Sequence, residues 1–175
     1  MRKLTFVAVI LMLGAGMAYG ASLSVPWFVD NAPPGSGNPP TNSGEFTAIF
    51  LHNTTNSEIE CSIAYFTENG VFVGPEAPSN TFVIPAMASL AFRPVAYDPN
   101  TAPLGQESTL GVAVPDRPLT GPDNDGKKNG SCVISWVGAS TDVQGATRNS
   151  TTVRDRPGRL DGYVGFGHLL PAGVD

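Results

Sequence analysis

EIECSIAYFT (residues 58–67) alternates strictly between Ile59 and Tyr65. Residues two apart share a face of an extended chain, so Ile59, Cys61, Ile63 and Tyr65 lie together, with Glu60 and Ser62 on the other side. GSCVISWVG (130–138) repeats the arrangement, with Cys132, Ile134 and Trp136 opposite Ser131 and Ser135. Both stretches predict a strand with one buried face. Each places one of the chain's two cysteines on that face.

Outward from these two, the chain is a series of short apolar runs broken by turn residues. They are SLSVPWFVD (22–30), EFTAIFLHN (45–53), VFVGP (71–75), NTFVIPA (80–86), SLAFRPVA (89–96) and STLGVAVPD (108–116). Weaker runs, TTVRD and GYVGFGHLL, follow after residue 145. Val, Ile, Phe and Thr dominate these runs, as strands require. Glu68-Asn69-Gly70 predicts a tight hairpin, because Asn-Gly accepts the positive φ angles such a turn needs. With 16 prolines and 20 glycines, no long window is free to form an amphipathic helix. The expected fold is all-β, an antiparallel β-sandwich of about eight or nine short strands.

The first twenty residues read differently. Arg2 and Lys3 precede an apolar run from Leu4 to about Met17, and Ala18-Tyr19-Gly20 precedes Ala21. A charged start, an apolar core too short to span a bilayer and a small-x-small exit describe a secretory signal peptide over residues 1–20. Residues 21–44 then form an apolar strand plus the Pro/Gly-rich tether NAPPGSGNPPTNSG. Residues 45–175 form the sandwich domain, to which 21–30 can also belong. The expected location is secreted, extracellular or periplasmic, with no membrane span in the mature chain.

Cleavage removes two of ten basic residues and none of fifteen acidic ones, leaving eight against fifteen, a charge of −7. That balance argues against nucleic acid, whose phosphates require clustered Lys and Arg. From Ala21 to Phe92 there are six acidic residues and no Lys or Arg, an asymmetry that can mark a contact surface.

Two cysteines in an exported chain favour a disulfide between Cys61 and Cys132. Closing a loop of about 70 residues would stabilise the fold by ~4 kcal/mol in the chain-entropy model. The Cys-x-Ile-x-aromatic layout, with Trp136 beside the expected bridge, resembles the core of an immunoglobulin-type sandwich over these two strands. The resemblance implies a class of architecture, not a family.

Catalytic constellations are scarce. His52 and His168 have no second histidine at metal-ligand spacing, and the sequence holds no nucleophile elbow, phosphate loop or Cys-x-x-Cys. In GPDNDGKKNG (121–130), Asp123 and Asp125 offer oxygens that calcium prefers. The glycine comes too early, however, no glutamate closes the loop, and Lys127 and Lys128 add positive charge. An Asp-Gly turn explains the same letters, so no metal and no cofactor are expected. Asn53, Asn129 and Asn149 open Asn-x-Ser/Thr triplets, read as surface positions.

The residues left as ligand or partner contacts are Trp27, Arg93, Tyr97 and Tyr163. Arg93, beside Phe92, can clamp a carboxylate or stack on a ring. Tyr97 and Tyr163, near turns, can stack on sugar faces. The apolar segment carrying Trp27 can pair with its own sheet or with a neighbour's, and Pro26 confines it to an edge. If it stays at home, Trp27 and Phe28 should be core. The expected function is that of a non-catalytic structural or interaction protein of a bacterial cell surface or extracellular assembly, partnered or self-associated through its N-terminal strand. The alternative is a carbohydrate-binding sandwich module.

Overall fold

The computed structural model of the protein describes residues 20–31, 44–94, 112–118, 129–153 and 162–170. The expected signal peptide up to residue 19, residues 32–43 of the expected tether, Tyr97, Asp123 and Asp125, and the arginines at 154, 156 and 159 lie outside the described residues.

Nine strands and no helix form among the described residues, in two antiparallel sheets. The first sheet runs in the order β1 (Gly20–Phe28), β7 (Gly130–Val137), β3 (Ile59–Thr67), then β4 (Phe72–Gly74), with β5 (Thr81–Ile84) also paired to β3. The second runs β6 (Ser89–Phe92), β2 (Gly44–Asn53), β8 (Val143–Val153), β9 (Gly162–Leu170).

The two cysteine stretches are neighbouring strands. Cys61 stands opposite Trp136, Ile63 opposite Ile134 and Tyr65 opposite Cys132. Their alternation is the predicted one: Cys61, Ile63, Tyr65, Cys132, Ile134 and Trp136 are all buried. They share one core with Leu23, Val25 and Phe28 of β1 and with Ile49, Leu51, Leu90, Val143 and Leu170 of the second sheet. Removing each such side chain from water contributes about 1.5–3 kcal/mol. The sheets thus meet face to face through their apolar sides, in a sandwich arrangement.

The expected disulfide does not form. Cys61 and Cys132 are free and buried. Their register sets them four residues apart along adjacent strands of one sheet, about 13 Å at the rise of a strand. A disulfide needs α-carbons within about 7 Å. In antibody domains the bridge joins strands of opposite sheets, whereas here the same alternation places both thiols on one sheet.

The Asn69-Gly70 hairpin forms as its residues require. Gly70 takes a φ of 78°, and the Thr67 amide donates to the Val71 carbonyl at 2.9 Å. The run 108–116 is not a strand where it is described. Residues 112–116 have no regular pairing, with an isolated bridge at Arg117. Pro115 and Pro118 cannot donate to a ladder.

β1 pairs antiparallel with β7 and is an edge strand, as Pro26 demands. The pairing slips between Val25 and Phe28, a bulge that turns both Pro26 and Trp27 outward. Phe28 is fully buried but Trp27 is 47% exposed, so Trp27 is not core. Beyond the bulge the chain leaves the first sheet for the second. The Val29 carbonyl accepts from the Thr47 amide at 2.8 Å, and the Asn31 amide donates to the Glu45 carbonyl at 2.7 Å. Thr47 Oγ1 accepts from the Val29 amide at 2.9 Å and donates to Asn149 Oδ1 at 2.6 Å. One strand therefore stitches both layers.

Candidate functional site

The crossover delivers Asp30 to the interior, where it bridges to Phe46 and is 2% exposed. Two arginines close on it. Arg93, just past β6, donates from Nε to Asp30 Oδ1 at 3.0 Å and also pairs with that oxygen through a terminal nitrogen. Arg117 donates from a terminal nitrogen to Asp30 Oδ2 at 3.1 Å, and from Nε to the Pro94 carbonyl at 3.3 Å. The guanidinium of Arg93 lies 5.1 Å from the centre of the Phe46 ring, and that of Arg117 lies 5.7 Å from the Phe28 ring. Aromatic faces attract such cations. Burial pushes the Asp30 carboxyl above its ordinary value, against the lowering pull first of Arg93 and then of Arg117.

Arg93 does clamp a carboxylate, and it is the protein's own. Both Asp30 oxygens are engaged, so the cluster holds three segments together. Sequence reasoning singled out Arg93 but missed Asp30 and Arg117. No local signal marks the cluster: Arg93-Pro94 and Arg117-Pro118 are Arg-Pro steps, but so is Arg156-Pro157.

The segment 112–118 is held at a second point. The hydroxyl of fully buried Tyr65 donates to the Pro115 carbonyl at 3.0 Å, and the Tyr65 ring stands edge-on to Phe28 at 6.1 Å. Burial raises the phenol well above its ordinary value. Tyr65→Phe should cost about 1–3 kcal/mol, since it removes a buried donor from its carbonyl. Urea unfolding with an unchanged m-value is the check.

Burial, with a smaller contribution from the charge of Glu60, pushes the Cys61 thiol up to about 12. Burial drives Cys132 upward as well. The thiolate is the reactive form, so near neutral pH neither thiol should react with a thiol reagent in the folded protein. In denaturant, without reductant, both should react. Finding none there would restore the disulfide.

Asn53 is not a surface position, being fully buried. Its amide nitrogen donates to the carbonyls of Ser57, Ile84 and Pro85, and its Oδ1 accepts from the amide and hydroxyl of Thr55. It is a structural asparagine tying β2 to the loops around it. His52, half-buried at the end of β2, meets the Ser89 hydroxyl at 3.0 Å. Tyr163 lies in β9 opposite Thr152, its side chain outside the described residues. Among the described residues no group of His, Cys, Asp and Glu is arranged to hold a metal. No described helix is long and apolar enough to cross a membrane.

The outer face of the first sheet is the larger surface feature. Ser22, Ser135, Ser62 and Thr81 stand side by side on four strands, a row of hydroxyls. Beyond one end are Val137 and Val83, 75% and 36% exposed. Beyond the other are Trp27, Phe66 and Phe72, the last also 47% exposed. A shallow depression of about 280 Å³ opens among Gly20, Glu60, Ser62, Thr81, Ser135 and Val137. Phe66 and Phe72 lie 5.7 Å apart but inclined at 58°, so they do not make a flat stacking platform.

No family model matches the chain, and neither a curated protein nor a solved structure is significantly similar to it.

Proposed function

We propose that this chain is an exported, non-catalytic interaction domain, a structural component of a bacterial cell-surface or extracellular assembly, whose working surface is the outer face of the five-stranded sheet. The observation that carries this reading is the exposure of Trp27, Phe72, Val83 and Val137 on that one face. They stand in two groups, Val83 and Val137 beyond one end of the hydroxyl row and Trp27 and Phe72 beyond the other, and exposed large apolar side chains gathered on one face mark a contact surface. Export rests on the N-terminal segment alone, since the cysteines no longer argue for an oxidising compartment. Cleavage before Ala21 would leave that residue as the first of the edge strand, and intact mass of the exported protein tests it. Likeness to immunoglobulin-type sandwiches stays at the level of broad class. It is supported by the chain's crossing between layers and by Trp136 packed in the core, while the cysteines depart from the pattern.

The second reading, a carbohydrate-binding module, is favoured by the depression, where Ser62, Thr81, Ser135 and Glu60 converge beside exposed Val137. Calorimetric titration of the mature chain with a panel of soluble oligosaccharides separates the two. Saturable binding abolished by Glu60→Gln would replace the interaction reading with the carbohydrate one. Absence of binding across the panel supports the first.

A further inference from the structure

The outer face of the first sheet is chemically matched to itself. A serine or threonine hydroxyl is both donor and acceptor, so a row of four can pair with an identical row. The row on one side holds Val137 and Val83 with Glu60 between them, the row on the other holds Ser24, Val133 and Ala64, and Glu60 is the one charged residue on the face within the paired strands. An acidic chain repels its copies through most of its surface. This face is where a copy meets little charge.

We propose, building on the interaction reading above, that this face is the contact between two copies of the chain, stacked sheet on sheet about a two-fold axis running along the strands between β3 and β7. That axis exchanges β7 with β3 and β1 with β4 and β5, and it leaves every row opposite itself. Ser135 of one copy faces Ser62 of the other, and Ser22 faces Thr81. Trp27 faces Phe72, giving each exposed ring an aromatic or apolar neighbour. The two Glu60 carboxylates stay one strand spacing and one sheet spacing apart, about 4.8 and 10 Å.

The dimensions suffice. Four strand widths by the nine residues of β1 make about 19 by 30 Å at standard strand spacings. Stacking two such faces buries roughly 1,100 Å² in all, at the lower limit of a specific interface. The dimer is therefore one that dissociates on dilution.

Sedimentation of the mature chain over a wide concentration range tests this. The wild type should pass from monomer to dimer as concentration rises. Val137→Glu, at a position 75% exposed, brings a second acid against Glu60 of the other copy. It should remain monomeric over the same range with its melting temperature unchanged. Met87→Glu, exposed but off this face, should dimerise like the wild type. A dimer that persists in Val137→Glu overturns the face as the contact while leaving the interaction reading intact. A wild type that is monomeric throughout overturns self-contact altogether. The interaction reading itself falls only to the saccharide titration, so the two failures are distinct.

Discussion

Asp30→Ala should destabilise the protein by roughly 3–5 kcal/mol, the effect of leaving buried charge without its partner. Two guanidiniums, not one, lose a carboxylate oxygen, because Arg93 holds Oδ1 and Arg117 holds Oδ2. Both arginines are nearly inaccessible, 6% and 3% exposed, so water cannot replace the carboxylate without the site opening. The loss should also spread. Asp30 joins the crossover from β1, the end of β6 and the segment 112–118, so amide exchange should accelerate in all three together. Urea denaturation of Asp30→Ala, Arg93→Ala and the double variant gives the coupling directly. The double variant should be markedly less destabilised than the sum of the singles, by about 0.5–3 kcal/mol. Strict additivity would mean that Asp30 and Arg93 do not act as a unit.

Gly130→Ala should cost about 3 kcal/mol, the upper end of the usual penalty for overpacking. Gly130 begins β7 between Phe28 of β1 and Thr67 of β3. A β-carbon there would come 2.2 Å from the Phe66 carbonyl oxygen and 3.1 Å from the Phe28 ring. The first neighbour is backbone in a paired strand and cannot swing aside. The strand must move, and with it the ladder that aligns Cys132 with Tyr65. Gly70→Ala is the informative comparison, because it meets nothing within 4 Å and is disfavoured only by its φ of 78°. Thermal unfolding of both variants should rank Gly130→Ala well below Gly70→Ala. The reverse order would sink the steric account.

The strands and their inward faces were legible because alternation is a local property. Any sheet that buries Ile63 and Tyr65 must bury Cys61 too, whatever strand lies beside it. The hairpin at Asn69-Gly70 and the edge position of β1 were legible for the same reason: a positive φ and a missing amide hydrogen are features of single residues. The run 108–116 misled because its apolar letters resemble a strand, while its described part, 112–116, is unpaired and leads into Arg117, with the Pro115 carbonyl held by Tyr65. Trp27 misled because a bulge breaks the alternation on which its placement depended.

What depended on partners was not readable. The disulfide inference used the correct buried face for both cysteines and still failed, because periodicity says which side a residue faces and nothing about which strand pairs with which. Register alone put Cys61 opposite Trp136 rather than opposite Cys132. The ion cluster shows the same limit over a longer span. Asp30 and Arg117 are 87 residues apart, and no local pattern joins them. By itself the sequence determined an all-β chain, its turns and its buried alternation, since those follow from the stereochemistry of a few adjacent residues. Tertiary structure decided that the thiols stay apart, that Arg93 serves its own chain, and that the polar face of two cysteine strands continues into a broad, nearly uncharged surface. Each of these is a relation between distant segments, and only the folding of one sheet against the other brings those segments together.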